Sequence, residues 1–233
     1  MAQQEIALIV GAGPGLSASL GRLFDKEGMK VALAARDTNK LSGLVKETDG
    51  HAYACDASVP KDVQGLFDAV AKDIGDPTLV VYNASGRTRG PITELNPEEV
   101  RKTIMITCYG GFLVGQAAAK RMIKAGKGTI LFTGASASIK GFANSAAFAM
   151  GKLGLSGLVQ SMARELQPQN IHVAQVVIDG GICSPTRPER ATSRGPDGCL
   201  DPDAIAQTYL QLHRQHRSAW ASYIELRPWA EKF

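Results

Sequence analysis

The chain has 233 residues, of which 44% are hydrophobic and 21% charged, and its formal net charge is +4. This length and composition are typical of one soluble α/β domain with a sizeable core. No apolar run approaches the roughly 18 residues that a membrane span requires, so no membrane association is expected. The most basic stretch, 187–194, is interrupted by Pro188 and Glu189, and nucleic acid is therefore not expected as a partner.

The four cysteines show no CxxC spacing. Neither a zinc site nor a disulfide framework is expected, and reduced thiols are the simpler interpretation. The first residues carry neither the basic start nor the apolar stretch of a signal peptide. The sequence therefore predicts a cytoplasmic protein without a metal site.

Short apolar runs alternate along the chain with segments whose apolar residues recur at helical spacing. The runs predict strands at 6–10, 31–35, 51–55, 79–82, 129–132, 171–178 and 222–226. The periodic segments predict a helix from Leu16 that Gly28 ends, and further helices at 41–45, 63–74, 97–124 with a break near Thr107, 145–166 and 202–212, the last with Asp201 as N-cap.

This alternation is typical of βαβ units. It predicts one Rossmann-type domain over residues 1–233, a doubly wound parallel sheet of about seven strands with helices on both faces. The longest irregular stretch, 180–200, is rich in Pro, Gly and Ser. We expect it to be a substrate lid, because long loops within a compact domain are usually functional.

A glycine-rich turn joins the first predicted strand to the first helix. Gly11, Gly13 and Gly15 let the backbone approach a diphosphate closely, and the N–H groups of the helix that begins at Leu16 meet its charge. A plain strand-to-helix turn is the alternative interpretation. The position within a βαβ unit favours a dinucleotide site.

The second strand ends in Ala35-Arg36-Asp37. A guanidinium at this position suits the 2′-phosphate of NADP(H), whereas an acidic residue suits the 2′-hydroxyl of NAD(H). Arg36 therefore favours NADP(H) over NAD(H). Asp37 leaves NAD(H) open.

From about Glu5 to Leu226 the residues resemble the short-chain dehydrogenase/reductase family. The resemblance includes the glycine motif, in which Ser17 replaces the third glycine, and the lysine of the YxxxK motif. It implies that the cofactor-binding residues are Gly11, Gly13, Gly15, Leu16, Arg36, Asp56, Asn83, Ala84, Ser85, Lys152, Gly180 and Ile182. Asp56 would contact the adenine, and Lys152 the nicotinamide ribose.

The catalytic positions depart from the family. Phe148 stands where the family has the tyrosine that transfers the proton, and Ala135 and Thr107 stand at the serine and asparagine positions. Lys152, Phe148 and Ser136 are the candidate catalytic residues. Ser136, like Ser138, either holds a substrate oxygen or satisfies backbone groups. The sequence resembles a divergent subgroup with phenylalanine at the tyrosine position.

A phenyl ring cannot donate a proton, although loss of a placed proton donor costs about 10²–10⁴-fold in rate and does not abolish hydride transfer. The resemblance therefore implies an NADP(H)-dependent oxidoreductase with an atypical active site, which reduces a C=C or C=N bond of a small-molecule substrate. The alternative is a catalytically inactive NADP(H)-binding sensor or structural subunit. Relatives are homodimers or homotetramers, and the small residues of helix 97–124 either serve such contacts or pack internally.

Overall fold

The computed structural model describes residues 4–184, 195 and 197–230. Its strands are β1 (Ile6–Val10), β2 (Lys30–Ala35), β3 (His51–Ala54), β4 (Leu79–Tyr82), β5 (Gly128–Thr133), β6 (Ile171–Ile178) and β7 (Tyr223–Leu226). Its helices are α1 (Leu16–Lys26), α2 (Ser42–Glu47), α3 (Pro60–Asp73), α4 (Pro97–Ile104), α5 (Gly110–Ala125), α6 (Ala146–Leu166) and α7 (Pro202–Arg214). Short 3₁₀ turns precede α2 and follow β5, α6 and α7.

The strands form one parallel sheet in the order β3-β2-β1-β4-β5-β6-β7. The chain first winds outward from β1 to β3 and then returns to place β4 on the other side of β1. The order therefore reverses between β1 and β4, and the strands' carboxyl ends at such a reversal form the usual ligand crevice of open α/β sheets.

Helices cover both faces of the sheet, and each face has its own apolar core. One core packs alternate residues of the central strands, such as Leu8, Val80 and Ile130, against α3, α5 and α6. The other packs the intervening residues, such as Ile9 and Leu131, against α1, α2 and α7. Burial on both faces explains why the strands are continuous apolar runs rather than alternating ones. The predicted doubly wound fold is confirmed.

The predicted break near Thr107 corresponds to one π-helical turn, Met105–Tyr109, which separates α4 from α5 while the chain stays helical. A π turn leaves the regular i→i−4 hydrogen-bond ladder, and here the buried Tyr82 hydroxyl donates a hydrogen bond to the Ile106 carbonyl. Gly110 lies so close to Tyr82 that a Cβ would come within 2.4 Å of its hydroxyl. The sequence showed the irregularity but not its form.

The last helix begins as expected. The Asp201 side chain accepts hydrogen bonds from the backbone N–H groups of Asp203 and Ala204, at 2.7 and 3.4 Å, and Pro202 occupies the first turn. Most of the predicted lid, residues 185–194 and 196, lies outside the described residues. Within the described part of the chain, no helix is long and apolar enough to cross a lipid bilayer.

His172 is structural, as its position early in β6 indicated. Its ring nitrogens lie 3.1 Å from the Leu212 carbonyl and 2.8 Å from the Ala221 carbonyl, and the ring stacks on Trp220 with 4.8 Å between centroids. Burial lowers the pKa of His172 below its ordinary value. Trp220 is therefore a packing residue at the end of the sheet remote from the crevice.

The hydroxyl of Tyr82 supports the π turn, and removing it leaves the half-buried Ile106 carbonyl without its donor. We expect Tyr82→Phe to lower the free energy of unfolding by about 1–3 kcal/mol. Urea denaturation followed by circular dichroism measures this change. Tyr223→Phe is the matched control, because the Tyr223 hydroxyl binds only the exposed Glu225 carboxylate, and its effect should stay within about 0.5 kcal/mol. Equal effects of the two substitutions would show that the Tyr82 hydrogen bond does not stabilise the turn.

Candidate functional site

Gly11, the residue after β1, has a backbone conformation and a close contact with Ala84 that only glycine tolerates. Its φ is +89°, and a Cβ would lie 2.4 Å from the Ala84 nitrogen. The N–H groups of Gly11 and Ala12 both donate to the Ala34 carbonyl, at 3.0 and 2.9 Å. The glycine turn is therefore held between β2 and the segment after β4, and Gly11 is required for the close packing of β1 against that segment as well as for any approach to a ligand.

Gly13 differs from Gly11 in that nothing lies within 4 Å of the position where its Cβ would stand. Its missing side chain therefore opens space rather than relieving an internal clash. Gly15 is the N-cap of α1 and has no side-chain acceptor to offer the first N–H groups of the helix. The open turn and the uncapped helix start together suit a bound diphosphate.

Ser17, which replaces the third glycine of the motif, links the two halves of the crevice. The buried Ser17 hydroxyl donates to the Gly11 carbonyl at 3.1 Å and accepts from the Asn83 side-chain amide at 2.7 Å. The Asn83 backbone N–H in turn donates to the Val10 carbonyl at 2.8 Å. The departure from the motif is thus accommodated by a hydrogen-bond chain that fixes the turn to the end of β4.

These elements enclose a cleft of about 380 Å³ at the carboxyl ends of β1, β2, β3 and β4. It contains seven of the predicted cofactor residues: Gly11, Gly13, Arg36, Asp56, Asn83, Ala84 and Ser85. The fold therefore brings together, at one end of the sheet, predicted residues that are up to 74 positions apart in the chain, Gly11 and Ser85. Ile106 of the π turn also lines the cleft, and so does Lys40.

Arg36 and Lys40 are the two cations of this cleft, and Asp37 lies between them. The Asp37 carboxylate is already engaged, because it accepts from the Asn39 N–H at 3.1 Å and lies 3.3 Å from the Lys40 ammonium. Arg36 is exposed at the rim. This side of the cleft therefore presents positive charge, while the Asp37 carboxylate caps the 3₁₀ turn that follows it.

Asp56 follows β3 and borders the cleft. One of its carboxylate oxygens accepts from the Ser58 N–H at 2.9 Å and from the Ser58 hydroxyl at 2.6 Å. These hydrogen bonds, with the charge of Arg36 contributing less, hold the pKa of Asp56 below its ordinary value despite partial burial. Asp56 is thus ionised at neutral pH.

Four other predicted cofactor residues lie outside the cleft. Gly15 and Leu16 begin α1, and a Cβ on Gly15 would lie 3.9 Å from the Ser184 hydroxyl, which places the segment after β6 beside the glycine turn. Gly180 packs beneath Pro228, which leaves no room for a side chain, and Ile182 pairs with Leu200. Internal packing alone is sufficient to account for Gly180.

The remaining candidates lie on α6. Lys152 is only 3% exposed and donates to the Thr133 carbonyl at 2.7 Å. Its ammonium lies 5.9 Å from the centre of the Phe148 ring. Burial lowers the pKa of Lys152 to about 8, and the charge of Arg87 contributes to the same shift. Lys152 and Phe148, one turn apart, therefore share one small region at the end of β5.

The two candidate serines after β5 are engaged within the protein. The buried Ser138 hydroxyl accepts from the Ala135 N–H at 3.1 Å and from the Gln175 side chain at 3.4 Å, so it satisfies internal groups. The Ser136 hydroxyl and the charge of Arg227 help to keep the pKa of the Asp179 carboxyl below its ordinary value. Of the two open interpretations, the structure favours internal satisfaction for Ser138.

The sequence did not single out Arg87. Its guanidinium carbon lies 4.2 Å from the centre of the Phe148 ring, on the ring face. The signal was present, because Arg87 follows the Asn83–Gly86 segment at the carboxyl end of a central strand. Its partner ring is 61 positions later in the chain, however, and no local pattern indicates such a contact.

A glycine turn, an anion-compatible helix start and a cleft at the β1–β4 reversal define a nucleotide-binding α/β protein of the Rossmann type. A family model described as "short chain dehydrogenase" matches residues 5–194. The chain therefore belongs to the short-chain dehydrogenase family of oxidoreductases, whose fold binds a nicotinamide cofactor.

Individual relatives agree with this assignment. The crystal structure of a short-chain dehydrogenase from Rhodopseudomonas palustris is 33% identical, has a TM-score of 0.84, and is matched over 98% of this chain and 100% of that one. A metagenomic short-chain oxidoreductase in complex with NADP is 28% identical, with a TM-score of 0.82 over 96% and 97% of the two chains. Short chain aldehyde dehydrogenase 1 of Euphorbia lathyris is 30% identical, over 88% of this chain and 71% of that protein.

Burial of Lys152 predicts a pH-dependent stability. The pKa falls from an ordinary 10.5 to about 8 on folding, so between these values the unfolded chain binds more protons and native stability rises with pH. Lys152→Met should remove this slope. The free energy of unfolding of the wild type, relative to the variant, should rise by up to about 1.4 kcal/mol per pH unit above pH 8.

Urea titrations of both proteins at pH 7, 8, 9 and 10 measure this difference. Lys140→Met is the matched control, because Lys140 is exposed and its removal should leave the wild-type pH profile unchanged. Parallel profiles for wild type and Lys152→Met would mean that the Lys152 ammonium is hydrated in the native protein.

Proposed function

We propose that the protein is an NADP(H)-dependent oxidoreductase whose active site lacks a tyrosine proton donor, and that it reduces a conjugated C=C bond or an iminium C=N bond of a small molecule. The observation that carries this proposal is the pairing of a buried Lys152 with a phenyl ring, Phe148, one helical turn away. Lys152, the proposed cofactor-binding residue, is present, whereas Phe148 offers no group that can donate a proton.

The residues present fit the dinucleotide. Gly13 leaves open space beside an uncapped helix start, where a diphosphate is expected. Asp56 is positioned as an acceptor at the adenosine end. When bound, the dinucleotide supplies a hydride, and the protein's own contribution is to bind and orient it. Lys152 is proposed to hold the nicotinamide ribose.

The preference for NADP(H) is supported by the engagement of Asp37. Because that carboxylate caps the turn and pairs with Lys40, it is less available to a ribose hydroxyl, whereas the exposed Arg36 at the rim of the same cleft suits a 2′-phosphate. A guanidinium binds a phosphate bidentately, which an NAD(H) site does not require.

Two buried tyrosine hydroxyls do not replace the missing donor. Tyr209 is fully buried, and its hydroxyl lies 2.7 Å from the Thr133 hydroxyl. Burial raises its pKa well above the ordinary value. The hydroxyl of Tyr82 is committed to the Ile106 carbonyl. A reaction in which the enzyme need not protonate a carbonyl oxygen during hydride transfer therefore fits this site best.

Two classes of acceptor meet this requirement. In a conjugated enone or enoyl group, hydride adds to the β-carbon, the electron pair moves to the carbonyl oxygen, and the resulting enolate takes a proton from water. In an iminium ion the nitrogen already carries positive charge, and hydride addition yields the neutral amine without a protonation step. A simple ketone, by contrast, forms an alkoxide that needs a proton donor.

We further propose that the protein assembles as a homodimer or homotetramer through α5 and α6. Both helices present large apolar side chains to solvent, namely Phe112, Ile123, Met150 and Leu153. Their small residues are mostly used internally, since a Cβ on Gly111 would lie 2.5 Å from Leu155 and one on Gly115 would lie 2.9 Å from Met162. The exposed apolar residues rather than the glycines therefore support the assembly.

The cofactor preference is tested by Arg36→Gln. We expect the dissociation constant for NADPH to rise at least tenfold, because a charge-assisted phosphate contact is lost, and that for NADH to change less than twofold. Fluorescence enhancement of the reduced nicotinamide on binding measures both constants. Arg22→Gln is the control, because Arg22 pairs with Glu47 and does not line the cleft. Equal losses for both cofactors would contradict the assignment.

The reaction class is tested with panels of enones, cyclic iminium ions and simple ketones, with NADPH consumption as the readout. We expect the wild type to turn over members of the first two classes at least 100-fold faster than matched ketones, because loss of a placed proton donor costs about 10²–10⁴-fold. Phe148→Tyr should raise ketone reduction selectively.

Ketone reduction by the wild type at rates comparable to enones would contradict the proposal. Tight NADPH binding with no consumption by any panel would instead favour a binding protein without turnover. If Phe148→Tyr gains nothing, the double variant Phe148→Tyr/Ala135→Ser tests whether the missing serine is also required.

A further inference from the structure

Tyr209 carries a hydroxyl that its place in the core does not require. Its ring is fully buried in the apolar core between α7 and the sheet. Its hydroxyl lies 2.7 Å from the hydroxyl of Thr133, the last residue of β5. Burial raises the pKa of Tyr209 well above the ordinary value, so this hydroxyl stays protonated. A phenylalanine would fill the same core without a polar group to satisfy, and the hydroxyl therefore needs another explanation.

Thr133 is contacted from both faces of the sheet. Its side chain lies on the same face as that of Leu131, toward α7, because residues two apart on a strand share a face. Its carbonyl accepts from the ammonium of Lys152 at 2.7 Å, and Lys152 belongs to α6, which covers the opposite face. The next N–H, that of Gly134, donates to the Val176 carbonyl at 2.7 Å. Thr133 therefore joins α7 on one face to the lysine on the other.

The Thr133 carbonyl sets the direction of the Lys152 ammonium. Within the part of the chain that the structure describes, this carbonyl is the hydrogen-bond acceptor of the ammonium, which forms no ion pair there. An ammonium has three donors, so the bond to Thr133 leaves donors for a ligand. Misplacement of a polar group in a binding site costs affinity, and any movement of Thr133 would misplace this one.

The helix that carries Tyr209 makes a second hydrogen bond to β5, at the other end of the strand. One turn after Tyr209, the Nδ1 atom of His213 lies 2.9 Å from the Thr129 hydroxyl. Thr129 is as buried as Thr133, with 5% and 7% of their surfaces exposed. Both contacts join the same helix to the same strand, but only Thr133 lies at the carboxyl end, where the Lys152 ammonium is bound. The two threonines therefore allow a role in folding to be separated from a role in positioning.

We propose that Tyr209 is a positioning residue for Lys152. From the opposite face of the sheet it holds Thr133, whose carbonyl receives the ammonium, and it thereby holds the ammonium where the nicotinamide ribose is bound. The inference rests on the proposed function, because it takes the ribose as the ligand of Lys152. Tyr209 itself contacts neither cofactor nor substrate, since it is fully buried behind β5.

The first test measures NADPH affinity at pH 7 by the fluorescence of the reduced nicotinamide. Tyr209→Phe and Thr133→Val each remove one hydroxyl of the pair without changing the side chain's shape. We expect each to raise the dissociation constant about three- to tenfold, the effect of about one hydrogen bond. Thr133→Ser keeps the hydroxyl and should stay within about twofold of the wild type. Thr129→Val is the matched control, because it removes the contact of α7 at the remote end of β5, and it should also stay within about twofold.

The second test is the pH profile of the same dissociation constant. In the wild type, NADPH affinity should fall above about pH 8, because burial lowers the pKa of the Lys152 ammonium to about 8. A well-aligned hydrogen bond to the ammonium favours its charged form. The fall should therefore begin at lower pH in Tyr209→Phe and Thr133→Val, and at the wild-type pH in Thr129→Val. A role in folding alone would not move this profile.

Circular dichroism and urea titration establish that each variant is folded before its affinity is measured, and Thr133→Val decides the outcome if Tyr209→Phe does not fold. Wild-type affinity and pH profile in Thr133→Val, or an equal loss of affinity in Thr129→Val, would overturn the inference while the proposed function stands. Absence of NADPH binding by the wild type would instead overturn the proposed function, so the two failures are distinguishable.

Discussion

The close approach of the β1 turn to the end of β4 is the constraint on which the rest of the site depends. A Cβ at Gly11 would collide with the Ala84 backbone, and the Asn83–Ser17–Gly11 hydrogen-bond chain joins the same two segments. Because β1 and β4 lie on either side of the reversal in strand order, this contact sets the width of the cleft. Arg87 follows Ala84 by three residues, so the same contact helps to position the loop that carries it.

In the proposed function, the chemistry at α6 depends on what the side chain at position 148 contributes. A tyrosine there would be a proton donor tuned by the neighbouring lysine. A phenylalanine keeps the ring and loses the donor, and the ring face then becomes a surface on which the Arg87 guanidinium rests. In the same proposal, the Thr107 hydroxyl accepts from the Gly86 N–H, and Ala135 offers no hydroxyl. These departures are consistent with a redirected site.

The sequence predicted the fold well, because buried parallel strands are apolar on both faces and their alternation with helices leaves few topologies. It also predicted most of the cleft, since residues at the carboxyl ends of parallel strands meet at one edge. It located the interruption near Thr107 but did not indicate a π turn, because that turn is supported by the Tyr82 hydroxyl from another element. It missed Arg87 for the same reason, because a contact between a loop and a helix 61 residues apart leaves no periodic trace.

Burial of Lys152 supports a role in binding rather than in folding. A lysine whose pKa falls to about 8 on folding costs the native protein stability at neutral pH. Its hydrogen bond to the Thr133 carbonyl offsets only part of that cost, because no carboxylate of the described residues forms an ion pair with it. A methionine would fill the same space between α6 and β5 without the penalty. This cost is consistent with the proposed role of the Lys152 ammonium in holding a ligand.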